Sequence, residues 1–163
     1  MNNLYRFLRY AVLMAAIMAW MMPARAQHPF TLTTASDITN NTQHYYLIQS
    51  FDRTTFYAIP HSNTEGSKVS TTSIPNADMR WCFVDAGSDS DHQYYYIVNS
   101  TGRCLYRYDD NNDGIQIKKT YAELSSLSDD ELNKYKFYLT QTGSNYFIQP
   151  KGASNFILEQ ERR

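Results

Sequence analysis

The sequence predicts an all-β fold assembled from three copies of one unit. The first observation is a strand-like motif that recurs every 50 residues: "YYLIQS" begins at Tyr45, "YYIVNS" at Tyr95 and "NYFIQP" at Asn145. The second is composition, because the chain has 14 tyrosines and tyrosine favours strands. The third is turn chemistry, since Gly, Asp, Asn and Ser follow the motifs and suit the turn of a hairpin. A repeat of this length indicates a repeat architecture.

The recurring motif predicts the first strand of each copy. Tyr46, Tyr96 and Tyr146 align in the three copies, and an Ile or Val follows each of them two positions later. Residues two apart share one face of a strand, so we expect these tyrosines to be structural. The residue directly after each tyrosine is also apolar. The strands are therefore expected to be covered on both sides along part of their length.

Three further kinds of strand complete the predicted unit. The second strand follows the turn, as "FDRTTFYAI", "TGRCLYRY" and "KGASNFILE", and the third lies at residues 68–74 and 114–120. A triplet with a bulky first and third residue precedes each copy and predicts a fourth strand, at residues 30–32, 81–83 and 137–139. This makes eleven strands in all, and the third copy stops after its second strand.

Residues 122–135, "AELSSLSDDELNKY", depart from the strand pattern. Ser128 is followed three residues later by Glu131, which is the spacing of a capping box, and acidic residues fill the first turn. We predict one short helix, inserted between a third and a fourth strand. We interpret it as a structured loop ornament.

The N-terminus has the pattern of an export signal. Arg6 and Arg9 precede an apolar run of 13 residues, and an A-x-A triplet ends at Ala26. The run is shorter than the ~20 residues of a membrane span, and a short N-terminal anchor is the alternative. Removal of residues 1–26 leaves one domain, 27–163, with copies at about 44–85, 94–141 and 145–163. We expect a secreted, periplasmic or cell-surface protein, bacterial in origin, with no membrane span after cleavage.

Charge and cysteine content narrow the classes of function. Without the three arginines of the signal, 12 basic residues face 16 acidic ones and no basic patch remains, so nucleic acid is not expected as a partner. Cys82 and Cys104 are the two cysteines of the chain. An oxidising compartment permits a disulfide between them, but each also suits a small buried apolar position, and both alternatives stay open.

The second copy resembles the ricin-type β-trefoil, the family of ricin B-like lectins. The signature "YY-I-N…G-CL" of that family is matched at seven positions, which are Tyr95, Tyr96, Ile97, Asn99, Gly102, Cys104 and Leu105. The match is specific in the second copy and looser in the other two. It implies a six-stranded barrel closed by three hairpins, with pseudo-threefold symmetry and an incomplete third copy. The Gln-x-Trp motif of the family is absent, although Trp81 and Phe137 occupy the position of its tryptophan.

The resemblance implies a sugar pocket in each copy, where a ring packs against the pyranose and carboxylate or amide groups bind its hydroxyls. The candidate ligand-binding residues are Asp52, Tyr57, Tyr106, Tyr108, Asp109 and Asn111, with His61 and Asp110 beside them. Residues 109–114 also imitate the first half of a calcium loop. The twelfth position of that loop is Thr120 rather than Glu, so we interpret the segment as an ordinary turn and expect no metal.

No catalytic constellation is evident in the sequence. The four histidines are scattered, and neither a G-x-S-x-G motif nor a phosphate loop occurs, so we expect neither an enzyme nor a cofactor. The resemblance implies an exported carbohydrate-binding module, part of a larger secreted or surface protein, with a glycan or polysaccharide as partner. The alternative is a protein-interaction module, such as a protease inhibitor or a surface-assembly domain. It would present the loops at residues 62–67 and 86–92 to a protein partner.

Overall fold

The computed structural model describes residues 31–40, 42–49, 57–74, 76–108, 114–143 and 145–152. Across these residues the chain is mostly β, which confirms the predicted all-β class. The eight strands are β1 (Tyr57–Pro60), β2 (Ser67–Thr72), β3 (Trp81–Ser88), β4 (Gln93–Asn99), β5 (Arg103–Arg107), β6 (Ile115–Thr120), β7 (Phe137–Thr142) and β8 (Asn145–Pro150). The helical segments are α1 (Ala35–Asn40), α2 (Asp129–Asn133) and two 3-10 turns, Ala77–Met79 and Tyr121–Ser126.

Strand β4 lies at the centre of an antiparallel sheet. The strand order is β1-β2-β6-β5-β4-β7-β8, and β3 pairs with the remaining edge of β4. Strands β5 and β7 share one edge of β4, because β5 pairs with it at Val98 and β7 pairs with it at Tyr94 and Tyr95. Five of the seven residues of β4 are buried, and they come from both faces. The prediction that this strand is covered on both sides is therefore confirmed.

Alternation along β3 and β4 creates a core on both faces of the sheet. On one face Trp81, Phe83 and Ile97 are at most 5% exposed, and the Trp81 indole donates to the carbonyl of Ala58 at 3.0 Å. That hydrogen bond ties β3 to β1 and satisfies the buried N–H. The other face carries a second buried cluster, formed by Cys82, Val84, Val98, Cys104, Tyr106, Leu124 and Tyr135.

The predicted helix between β6 and β7 is confirmed, but its interpretation as a loop ornament is wrong. The Ser128 hydroxyl accepts from the Glu131 N–H at 3.4 Å, so the capping pattern does begin α2. Leu124 and Tyr135, on either side of α2, are 4% and 0% exposed. They pack in the cluster that contains the β5 residues Cys104 and Tyr106, because that face of β5 is apolar and needs a cover.

Helix α1 was not predicted. The Thr34 hydroxyl accepts from the Asp37 N–H at 3.2 Å, and the Asp37 carboxylate accepts from the Thr34 N–H at 2.8 Å. This reciprocal cap is readable in the sequence as a Thr followed three residues later by an acid. No helix within the described ranges is both long and apolar enough to cross a membrane.

The three copies differ in the extent of their strand pairing and in the burial of their aligned tyrosines. Residues 45–49 make two isolated bridges, Tyr46 with Trp81 and Gln49 with Tyr57, instead of the predicted strand. Tyr96 packs against the second core cluster, whereas Tyr146 is 45% exposed, so the expected equivalence of the aligned tyrosines fails in the third copy. The physical reason is position, because Tyr146 lies near the turn end of the β7–β8 hairpin.

Several predictions concern residues outside the described ranges. These include the signal peptide at 1–26, residues 51–56 of the first copy and the final strand beyond residue 152. Of the strand predicted at residues 30–32, the structure describes Thr31 and Leu32, and these two residues belong to no strand.

Candidate functional site

Three of the six predicted ligand-binding residues, Asp52, Asp109 and Asn111, lie outside the described residues, as does Asp110. The other three are not brought together in the sheet. Tyr57 begins β1, whereas Tyr106 and Tyr108 lie in and just after β5, and β2 and β6 separate these two strands in the sheet order. His61 follows β1 and is exposed.

Tyr106 is a core residue, so its prediction as a sugar platform is wrong. It is 4% exposed, and its ring centroid lies 4.8 Å from that of Tyr135. The Lys118 ammonium covers the Tyr106 ring at 4.2 Å. Tyr108, two positions along the chain, is 39% exposed, and its N–H donates to the carbonyl of Gly114 at 3.3 Å.

The two cysteines are free, buried thiols, so the disulfide alternative does not hold. Cys82 on β3 lies opposite Val98, and Cys104 on β5 lies opposite the same residue from the other edge of β4. Two strand spacings separate their Cα atoms by about 9–10 Å. A disulfide requires about 7 Å or less between Cα atoms, so the two cysteines, on strands that flank β4, are too far apart to form one. Burial raises the pKa of Cys82 to about 11 and raises that of Cys104 further.

A different group of side chains gathers where β4 meets β7. We call it the ring cluster and define it as His92, Tyr94 and Tyr138 together with Asp89 and Lys151. The rings of His92 and Tyr138 lie 4.0 Å apart between centroids, and the rings of Tyr94 and Tyr138 lie 6.1 Å apart in an edge-to-face arrangement. The Lys151 ammonium lies 4.6 Å from the centroid of the Tyr94 ring.

Strand pairing positions the rings of the cluster. Tyr94 lies directly opposite Tyr138 in the β4–β7 pair, and residues in such pairs contact one another across the strands. Lys151 follows β8, and its N–H donates to the carbonyl of Lys136, the residue before β7, at 2.8 Å. The cluster therefore joins β4 to the β7–β8 hairpin, which lies about 40 residues further along the chain.

Asp89 orders the loop that carries His92. Its carboxylate accepts from the Tyr94 hydroxyl at 2.6 Å and from the N–H groups of Asp91 and His92 at 3.0 and 2.9 Å. The Asp89 N–H in turn donates to the carbonyl of His92 at 3.0 Å. These bonds close a compact turn between β3 and β4, which fixes the backbone from which the imidazole projects.

The charge states of Asp89 and Tyr94 are well defined at neutral pH. The Tyr94 hydroxyl, followed by the two backbone donors, lowers the pKa of Asp89 to about 2. Burial, followed by the hydrogen bond to Asp89, raises the pKa of Tyr94 to about 12. Asp89 is therefore an anion and Tyr94 a neutral donor across the physiological range.

The ring cluster is accessible at its outer side. His92, Tyr138 and Lys151 are half-buried, Asp89 and Asp91 are exposed, and Tyr94 lies beneath them at 5% exposure. The cluster can therefore offer ring surface, carboxylates and an imidazole to a ligand. Within the described part of the chain no group of three or more His, Cys, Asp or Glu residues is placed to hold a metal ion.

The sequence indicates the ring cluster only in part. The loop at residues 86–92 was identified as a surface for protein partners, but Tyr138 was considered only as the middle of a strand triplet. A usable signal was present, because the middle residue of a bulky-x-bulky triplet points away from the core face of its strand. No sequence signal identifies Lys151, whose position depends on the β7–β8 hairpin.

Comparisons with known proteins give no family assignment. No protein-family model matches the chain. No curated protein matches it in sequence.

Proposed function

We propose that this chain is an exported ricin-type β-trefoil module that binds carbohydrate without catalysing a reaction. The support for the trefoil is a correspondence between copies. Residues 45–49 contact β3 through Tyr46 and β1 through Gln49, while β4 contacts β7 through Tyr95 and β5 through Val98. In the first two copies, the first segment thus pairs with the second and fourth strands of its own copy. A threefold repeat requires this pairing, and β8 would begin the third copy.

The single observation that carries the binding proposal is the ring cluster. A sugar ring presents an apolar face with hydroxyls at its edge, so its binding site needs an aromatic surface beside polar groups. His92 and Tyr138 supply half-buried rings. Asp91, on the same loop as His92, supplies an exposed carboxylate. The loop is held by Asp89 before any ligand arrives, which lowers the ordering cost of binding. The module would hold a larger protein on a glycan surface.

A glycan array probed with the mature protein tests this function. We expect a defined set of glycans to bind, and Tyr138→Ala to weaken that binding about tenfold, as loss of an aromatic contact at a binding site often does. Tyr146→Ala is the matched control, because it removes an exposed tyrosine from the neighbouring strand β8 without touching the ring cluster. The two proteins are compared by calorimetry with the best glycan of the array.

Two results would count against the lectin function. One is an array on which no glycan binds. The other is equal weakening by Tyr138→Ala and Tyr146→Ala, which would place binding elsewhere than in the ring cluster.

A second candidate is the protein-interaction module, and the rigidity of the β3–β4 loop favours it. The Asp85 carboxylate accepts from the Gly87 N–H at 2.7 Å and from the Gln93 amide at 2.8 Å, next to the turn closed by Asp89. A loop fixed in advance suits docking into a protein groove. Inhibition of a panel of secreted proteases, combined with a blank glycan array, would favour this candidate over the lectin.

A further inference from the structure

The ring cluster presents aromatic rings to which an ammonium group can bind. Ammonium groups bind over aromatic faces within about 6 Å of the ring centroid, and several rings that face one point strengthen the attraction. The rings of His92, Tyr94 and Tyr138 lie between 4.0 and 6.1 Å from one another. The His92 and Tyr138 rings pack directly against each other, and the Tyr94 ring beside them carries the cation contact that the structure shows.

A cation of the chain itself already lies over one of these rings. The Lys151 ammonium lies 4.6 Å from the Tyr94 centroid, inside the range for a cation–π contact. Tyr94 is 5% exposed, whereas Lys151 itself is half-buried. A lysine that reaches a ring from the end of β8 shows that this environment attracts a positive charge.

The surrounding charges act in the same direction. Asp89 is bonded to the Tyr94 hydroxyl, and Asp91 lies two residues further along the same exposed loop. Lys151 is the single cation within the ring cluster as defined. Asp89 balances Lys151 within the cluster, and the exposed carboxylate of Asp91 beside it favours a further cation over an anion.

We propose that the ring cluster binds the ammonium group of an amino sugar, and that Lys151 competes with this ligand as an internal occupant. The inference rests on the proposed carbohydrate binding and adds the chemical class of the ligand, a glycan with free amines. The bound amine would lie over the Tyr138 and Tyr94 rings near the carboxylate of Asp91. Lys151 would swing away, as its side chain has four rotatable methylenes. Its tether gives it a high effective concentration, so it suppresses weak ligands.

Calorimetry with two matched probes tests the proposal. The probes are a β-1,4-linked tetramer of glucosamine, which carries four amines, and its fully N-acetylated counterpart, which carries none. We expect Lys151→Met to bind the amine tetramer about fivefold more tightly than the wild type, because the internal competitor is gone. Binding of the acetylated tetramer should not tighten, since it has no ammonium to place over the Tyr94 ring.

Two further variants separate competition from structural effects. Lys151→Arg keeps a cation on the Tyr94 ring and should bind like the wild type. Lys118→Met removes a second lysine–tyrosine contact of the described residues, which lies over the buried Tyr106, and should leave both affinities unchanged. Thermal unfolding of each variant identifies any loss of folding.

Three results would overturn the inference. The first is no tightening in Lys151→Met, and the second is equal tightening in Lys118→Met. The third is no binding of the amine tetramer by any folded variant. If the glycan array shows other sugars bound in that last case, the carbohydrate function stands and only the amino-sugar class fails. An array on which no glycan binds would contradict both the carbohydrate function and the amino-sugar class.

Discussion

Tyr94, Tyr95 and Tyr96 are consecutive residues of β4, yet each ring has different neighbours. The Tyr94 ring contacts Tyr138 and His92, the Tyr95 ring lies edge-on to Phe83 at 6.1 Å, and the Tyr96 ring contacts Tyr121. Alternation sends neighbouring side chains to opposite faces, and both faces of β4 are covered. Tyrosine suits this strand because its ring packs while its hydroxyl finds a polar partner, as Tyr94 does at Asp89.

The first prediction at the residue scale concerns the thiols. Cys82 and Cys104 should be unreactive toward a thiol reagent in the folded protein and fully reactive in denaturant. Burial raises the pKa of both groups, and only the thiolate reacts. The measurement is labelling followed by intact mass under both conditions. An intact mass lower by two hydrogens in the native protein would indicate a disulfide. That result, or rapid labelling before unfolding, would contradict the presence of two buried thiols.

At the scale of elements, the segment from the 3-10 turn Tyr121–Ser126 through α2 acts as a lid over β5. Its apolar residues Leu124 and Leu132 contact the core, and Ser128 begins the helix between them. The lid is also bonded through its backbone, since the Arg107 N–H donates to the Lys134 carbonyl at 2.9 Å. A five-residue helix is not stable alone, so this segment depends on packing against the sheet.

The second prediction tests that dependence. Leu124→Ala should lower the free energy of unfolding by about 2–4 kcal/mol, because it leaves a cavity between the segment and β5. Leu47→Ala is the matched control, since Leu47 is 54% exposed and its loss should change stability by less than about 0.5 kcal/mol. Urea unfolding gives both values. Similar small losses in the two variants would show that the segment is peripheral after all.

At the scale of the whole molecule, the core is rich in buried tyrosine, and this sets its alkaline limit. Burial is the largest cause that raises the pKa of six described tyrosines above the ordinary value of 10.0. The pKa rises to about 12 for Tyr94 and Tyr95. The six residues are Tyr45, Tyr94, Tyr95, Tyr96, Tyr121 and Tyr135. The unfolded chain loses these protons first. The stability they contribute is complete below about pH 10 and is lost as the pH rises through the folded pKa values.

The third prediction follows from that sign. The urea midpoint should stay level from about pH 8 toward pH 10 and then fall steeply between about pH 10 and 12. Ultraviolet absorbance of tyrosinate, followed in the same samples, should rise together with loss of native structure. Ionisation of most tyrosines near pH 10 in a protein that remains folded would contradict the burial described for them.

Local chemistry explains which sequence predictions succeeded. Ser128 was identified because a cap needs only a hydroxyl and a backbone N–H three residues away. The strand at residues 95–99 was identified because alternation is a property of the strand itself. Tyr106 was placed wrongly because the residues that bury it come from the segment that follows β6. Its surface exposure depends on those residues, and no pattern within β5 reveals them.

The sequence by itself determined the β class, the β4–β5 hairpin and the start of α2, because each depends on contacts between near neighbours in the chain. Only the tertiary structure decided that Cys82 and Cys104 stay apart and that His92, Tyr94, Tyr138 and Lys151 meet at one place. Those outcomes depend on which strands become neighbours. Strand order results from the burial of the whole core, and a short sequence pattern carries no record of it.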